Sequence, residues 1–280
     1  MLTFKTYDEV LTFFKLKTKH IGLVPTMGAL HYGHLSLVKR ACKENDFVVV
    51  SVYINPTQFN HASDLESYPI DLDKDKELLK PFSEKIIFYT PEHKEIYPKK
   101  IQRNSYDFGA ISTHMEGFYR PGHFDGVATV VEALFKKIKP QKAYFGEKDF
   151  QQLQIIKVLN IQKKLNVKVI GCPIVREKDG LAMSSRNKLL SPNERRAATI
   201  IYSTLRDLNR KHIKTDVSQM RQFFKEKVEQ HLLKLEYFFV APVCNLIPVS
   251  KLDSNIKYRF FVAVFAGKTR LIDTVELVRI

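Results

Sequence analysis

The segment PTMGALHYGHLSLVKRA, beginning at Pro25, holds the residues of this chain best suited to chemistry. An apolar run enters a turn there, and a helix is expected to start at or near His34. Backbone N–H groups at a helix start have no partner inside the helix, and with the positive end of the dipole they attract phosphate. Gly28 and Gly33 would let the backbone come close to such a group. His31 and His34 stand three apart, as His-x-Gly-His, so both imidazoles can face a phosphate chain lying across the helix start. A neutral imidazole at such a site donates a hydrogen bond to a developing phosphorane oxygen without transferring a proton. Two other readings of the pair are surface histidines in an ordinary βα turn, and a zinc site with Asp46, beyond the helix, as the obvious third ligand. The strand before the pair and the helix after it favour phosphate.

A second strand–glycine–helix turn is AYFGEKDFQQLQII, from Ala143. Gly146 permits close approach, Lys148 can neutralise a phosphate, and Asp149 can accept from a ribose hydroxyl, while Gln151 and Gln152 offer neutral polar groups to a small substrate. Alone, this stretch reads more readily as a solvated turn. GLAMSSRNKLLSP, from Gly180, sets Ser184, Ser185 and Arg186 in a loop, where two hydroxyls and a guanidinium can stabilise a departing pyrophosphate. NPTQF, from Asn55, directly follows the second apolar run, at the carboxyl end of a strand where open α/β sheets bind ligands. Its Gln58 can both accept and donate, which suits a substrate carrying hydroxyl and carboxylate groups. RPGHFDGVATVV, from Arg120, is equally distinctive.

The elements that must position these groups follow from periodicity. Short apolar runs at 21–25, 47–54, 85–89, 143–145 and 167–171 alternate with helix-period stretches, the pattern of βαβ units around a parallel sheet. Val127, Val130, Val131, Leu134, Phe135 and Ile138 form one helix stripe, and Phe150, Leu153, Ile156 and Leu159 another. Beyond Val175 the character changes. Ser191, Pro192 and Glu194 look like an N-cap, a first-turn proline and a capping-box acid, a helix is expected over 217–233, and strands over 237–240, 259–265 and 269–272. The expected architecture is a Rossmann-like α/β domain over 1–175 and a smaller α+β domain over 176–280. With 280 residues the chain can bury a full core. Lysines are scattered rather than clustered, so the net charge of +15 reads as solvated surface that favours anionic substrates over nucleic acid. No apolar run approaches the ~20 residues of a membrane span, and the N-terminus carries acids and reads as amphipathic, so a cytoplasmic protein is expected. Cys42, Cys172 and Cys244 lack paired spacing and are expected to be reduced and in or near the core.

Taken together and in order, PTMGALHYGH, NPTQF, RPGHFDGVATVV, YFGEKDFQQL, DGLAMSSRN with LSP, and TRLID at 269–273 resemble the pantothenate synthetase family. The resemblance implies a nucleotidyltransferase-type Rossmann domain with a smaller C-terminal lid, a homodimer, and ATP-dependent joining of pantoate to β-alanine through an acyl adenylate. It implies His34 as the catalytic histidine, and Met27, Gly28, His31, Gly146, Lys148, Asp149, the backbone at Val175, and Met183, Ser184, Ser185 and Arg186 as the rest of the ATP site. Gln58 and Gln152 would hold pantoate, Gln58 would also admit β-alanine, and magnesium would lie along the phosphates. One departure is Ile70 and Asp71, where the family generally has a basic residue after Tyr68 and Pro69. Asp71, Asp73 and Asp75 that follow could support magnesium or simply match charge at a helix start. Two rival readings stand beside this one. Another His-x-Gly-His adenylyltransferase would make a dinucleotide cofactor without joining an amine, and an RNA-binding module akin to class I tRNA synthetases is suggested by the charge and the Met-Ser-Ser-Arg loop.

Overall fold

The computed structural model describes residues 1–15, 20–60, 62–210 and 216–278. The chain forms two units. The first comprises Met1–Phe108, Arg120–Glu147 and Gln152–Pro173, and the second Gly109–Tyr119, Lys148–Gln151 and Ile174–Ile280.

Six parallel strands build the first unit: β1 (Leu2–Phe4), β2 (Ile21–Thr26), β3 (Phe47–Val52), β4 (Ile86–Tyr89), β5 (Lys142–Gly146) and β6 (Lys168–Cys172), in the order β1-β4-β3-β2-β5-β6. The runs FVVVSV and IIFY are near-continuously apolar, as strands covered on both faces require, and Val48, Val49, Val50 and Phe88 are fully shielded. Tyr32–Glu44 packs on this sheet through Leu37, Val38, Ala41 and Cys42, and both helix stripes expected downstream are buried, in His123–Ile138 and Phe150–Gln162.

The strand order reverses between β2 and β5, and these two strands pair only at Gly22↔Lys142 and Leu23↔Ala143. Their carboxyl ends, Thr26 and Gly146, therefore run on without a shared ladder. That is the crevice at a topological switch point where open α/β sheets take ligands.

In the second unit β7 (Leu233–Pro242), β8 (Tyr258–Ala266) and β9 (Thr269–Glu276) form an antiparallel sheet, with Ile200–Arg210 and Val217–Glu229 packed against it. Leu205, Phe224, Val228, Phe260 and Val264 are its fully shielded centre. Ser191 caps Pro192–Ala197 with Glu194 reaching back to the Ser191 N–H, the capping box expected.

One strand was not expected and one expectation is corrected. Leu2–Phe4 adds the edge strand β1 beside β4 before the helix Tyr7–Lys15; three mostly exposed residues leave no periodic signal. Cys42 and Cys172 are buried, and burial pushes the Cys42 thiol up to about 11, but Cys244 is exposed. No helix among the described residues is long and apolar enough to cross a membrane.

Candidate active site

The turn after β2 is held from both sides. Thr26 donates its hydroxyl to the Ser51 carbonyl (2.8 Å) and accepts the Gly28 N–H (3.2 Å). Gly28 and Ala29 then adopt left-handed φ of 84° and 49°, and the Leu30 N–H donates to the Asp75 carboxylate at 2.6 Å. A Cβ on Gly28 would sit 3.0 Å from Val52 Cγ1 and 3.1 Å from Asp75 Oδ2, so this glycine answers both a conformational and a steric demand.

The helix begins at Tyr32, two residues earlier than the sequence suggests, with His31 as its N-cap. His31 Nδ1 accepts the Gly33 N–H (3.1 Å), and His34 Nδ1 accepts the His31 N–H (3.3 Å), a capping box made of two histidines. This corrects the expectation of unpartnered amides at the helix start, because the chain itself occupies the N–H groups of Leu30, His31 and Gly33. The expected role of the histidines gains a cause. An Nδ1 that accepts a backbone N–H carries no proton, so each ring is neutral and donates through Nε2. The rings lie 4.0 Å apart between centroids, side by side at the helix start.

Gln58 lies in the 3-10 turn Pro56–Gln58. Its Oε1 accepts from Asn55 Nδ2 (3.1 Å), and its Nε2 abuts the Met27 sulfur. The amide is thus oriented, with its oxygen engaged by Asn55 and one N–H by Met27, and the second N–H of its NH2 is the one that can meet a ligand. Asn55 is 1% exposed and anchors the turn. Its Oδ1 accepts from the Tyr97 hydroxyl (2.6 Å), the Thr57 hydroxyl (3.0 Å) and the Thr57 N–H (3.2 Å), and its Nδ2 also donates to the Gly126 carbonyl (3.0 Å). The RPGHF stretch holds the other side. His123 Nδ1 (2.9 Å) and Arg120 Nη2 (3.1 Å) both donate to the Gln58 carbonyl. A Cβ on Gly126 would come within 2.6 Å of the Thr57 carbonyl oxygen, so helix and turn touch backbone to backbone.

The other expected residues divide between the units. Gly146 closes β5, and Gln152 is half-buried on the helix behind it, both in the first unit. In the second unit Lys148 Nζ lies 3.7 Å from Asp149 Oδ1, and the Met183 N–H donates to the Val175 carbonyl (3.0 Å). Ser184 caps Ser185–Leu189 by accepting the Arg186 N–H (3.3 Å), and Ser185 is buried while Arg186 is half-buried. Gln151 is not a substrate group. It is 3% exposed, accepts the Glu116 N–H (3.0 Å), and donates to the carbonyls of Ile111 and His114 (2.8 Å each).

Sequence reasoning passed over the residues that hold the Val175–Met183 ladder. Arg176 forms a two-pronged pair with Asp273 (2.6 and 2.9 Å), stacks 3.7 Å over the Tyr202 ring and donates to the Gly180 carbonyl. Arg270 similarly pairs with Glu116 and with Glu236, and the Tyr237 hydroxyl donates to Glu116 (2.7 Å). Burial opposes the Arg270 charge, but these carboxylates outweigh it and keep the guanidinium firmly protonated. Arg270 and Asp273 lie in the TRLID stretch, Glu116 in the MEG stretch and Glu236 in LEYFF.

Among the described residues no group of three or more His, Cys, Asp or Glu side chains is arranged to hold a metal ion. Magnesium commonly binds through one or two carboxylates plus substrate phosphates rather than in an all-protein cage. An ion held by one or two carboxylates would take its remaining ligands from substrate phosphates and water.

Residues 2–276 match the family model described as pantoate-beta-alanine ligase. A pantothenate synthetase of Flavobacterium psychrophilum is 43% identical over 99% of this chain and 100% of its own length, and one of Christiangramia forsetii is 48% identical over 92% of each. Among solved structures, pantothenate synthetase of Thermus thermophilus superposes with a TM-score of 0.90 at 38% identity, covering 99% of both chains. The pantoate-beta-alanine ligase of Francisella tularensis, crystallised with beta-gamma ATP and β-alanine, gives a TM-score of 0.83 at 36% identity over 99% of this chain and 97% of that one.

Proposed function

Because this chain belongs to the pantoate–β-alanine ligase family, it is an ATP-dependent enzyme that joins pantoate to β-alanine, and we propose how its residues carry the reaction. A pantoate carboxylate oxygen attacks the α-phosphorus of ATP, a new O–P bond forms, and pyrophosphate leaves. The β-alanine nitrogen then attacks the activated carbonyl, AMP departs, and the nitrogen gives up a proton to solvent. His34, with His31 beside it, donates through Nε2 to the α-phosphoryl oxygens. The observation that carries this role is the engagement of both Nδ1 atoms by backbone N–H groups, which fixes the rings as neutral donors before any substrate arrives.

Gln58 gives its NH2 to pantoate, with Asn55 setting its orientation, and Gln152 is the second pantoate contact. Gln58 also borders the path of β-alanine. Met27, Gly28, Gly146, Lys148, Asp149, the Val175 backbone and Met183 line ATP, and Ser184, Ser185 and Arg186 take up the pyrophosphate charge. Magnesium, arriving on the triphosphate, supplies further charge neutralisation. The family resemblance also supports a homodimer working in the cytoplasm, and sedimentation of the purified chain tests its dimeric part.

Release of AMP and pyrophosphate from ATP, measured with pantoate alone and with pantoate plus β-alanine, tests the reaction. Sustained AMP release only with both substrates is expected. Pyrophosphate release with neither would sink the proposal and point to a different adenylyltransferase.

A further inference from the structure

Three acids follow one another at alternate positions on the helix Leu72–Leu79 and its cap, and the structure gives them three different fates. Asp71 accepts the Lys74 N–H and caps the helix. Asp73 has a side chain 97% exposed, 3.7 Å from Lys76. Asp75 is 2% exposed and turns inward to the turn after β2, where Oδ1 accepts the Leu30 N–H at 2.6 Å. Leu79, fully shielded one turn further on, pins the helix against the sheet, so the carboxylate is delivered by a fixed element.

The turn it reaches is strained. Gly28 tolerates its left-handed φ, but Ala29 at φ 49° occupies a region that a Cβ disfavours, and such a residue persists only where its surroundings over-determine it. Two hydrogen bonds bracket the pair. Thr26 holds the Gly28 N–H on one side, and Asp75 holds the Leu30 N–H on the other. The next residue is His31, the cap whose backbone N–H engages His34. A shift of Leu30 is therefore handed directly to both imidazoles. A buried carboxylate beside a turn meant for phosphate is costly in desolvation and repulsion, unless the position it enforces is worth more.

We propose that Asp75 is a positioning residue: by bonding the Leu30 amide it locks the left-handed Gly28–Ala29 turn and so sets His31 and His34 for phosphate. In this role one carboxylate oxygen, Oδ1, serves as the hydrogen-bond acceptor to the backbone. The kinetic part of the test rests on the ligase reading above. Its amide-exchange part does not.

Asp75→Ala and Asp75→Asn in the full chain separate the possibilities through pantoate-dependent ATP–pyrophosphate exchange and the hydrogen-exchange rate of the Leu30 amide. Asp75→Ala is expected to lose about 10²-fold in kcat/KM for ATP, the scale of a small misplacement of catalytic groups. Leu30 exchange should accelerate by at least about tenfold as the turn opens locally. Asp75→Asn retains an oxygen acceptor and should restore slow Leu30 exchange and most of the activity. Unchanged Leu30 exchange in Asp75→Ala would overturn the proposal whatever the activity. An Asn variant as impaired as the Ala variant, with a raised magnesium requirement, would assign the carboxylate to the metal instead. Should the Ala variant fail to fold, Asp75→Ser replaces it with the same expected outcomes, since its shorter hydroxyl falls short of the amide.

Discussion

The turn after β2 and the loop from Met183 to Arg186 are both proposed to handle phosphate charge, yet they are held in opposite ways. Around the first, one carboxylate meets a backbone amide beside neutral supports: a threonine hydroxyl, two imidazole nitrogens and a left-handed backbone. Around the second, the supporting groups are full charges in matched pairs, Arg176 with Asp273 beneath the Val175–Met183 ladder, and Arg270 between Glu116 and Glu236 on the same sheet. The difference follows from what each must present. Imidazoles that are to donate while neutral are suited by backbone N–H groups at Nδ1 and by the positive end of a helix, and dipoles already pointing at the reacting centre cost no reorganisation later. A guanidinium that is to receive a leaving pyrophosphate needs a stiff platform, and salt-bridged arginines buried against aromatic rings supply one.

Breaking the charged platform should have the largest effect on folding. Asp273→Ala leaves Arg176 without its carboxylate in a site where Asp273 is 3% and Arg176 16% exposed, and should cost about 3 kcal/mol, the low end for a broken buried pair. Thermal unfolding would show this as a lowered first transition, whereas an unchanged Tm would mean the pair is dispensable. His34→Ala attacks the neutral region. It should lower the rate of adenylate formation by about 10²–10³, the loss typical of one transition-state donor, while costing only about 1 kcal/mol of stability as a lost cap bond. Full activity in that variant would remove His34 from the mechanism, and a large loss of stability would show that the histidine pair is mainly structural. Ser191→Ala removes the capping box of Pro192–Ala197 and should cost about 1 kcal/mol with kcat unaffected. A fall in kcat there would show that the two kinds of support are not independent.

Much of this arrangement can be read in the sequence because it rests on local chemistry. The buried strands, the helix stripes and the Ser191–Glu194 capping box each have signals only a few residues long, and the two glycine turns mark where strands hand over to helices. What could not be read depends on which way a side chain points. Gln151 and Gln152 are equally plausible as substrate groups in sequence, but one residue is about 100° of helix rotation, and it carries Gln151 into the loop Gly109–Tyr119. Asp71, Asp73 and Asp75 look alike until the fixed helix sends only the last inward. The histidine capping box was hidden because His at N-cap is uncommon, so the amides it consumes seemed available to phosphate. Asp273 and Arg176 lie 97 residues apart, and no local pattern joins them.

The bare backbone of Gly126 against the Thr57 carbonyl bears on how such an enzyme can change. With no room for even a methyl group between helix and turn, and with Arg120 and His123 gripping the Gln58 carbonyl, the seat of Gln58 cannot drift by small steps. Evolution toward a bulkier or smaller acid must then proceed by exchanging the side chains that face the substrate, one at a time, over a floor that stays where it is. A variant library that leaves Gly126 untouched and varies its neighbours on the pocket side explores the changes open to this fold.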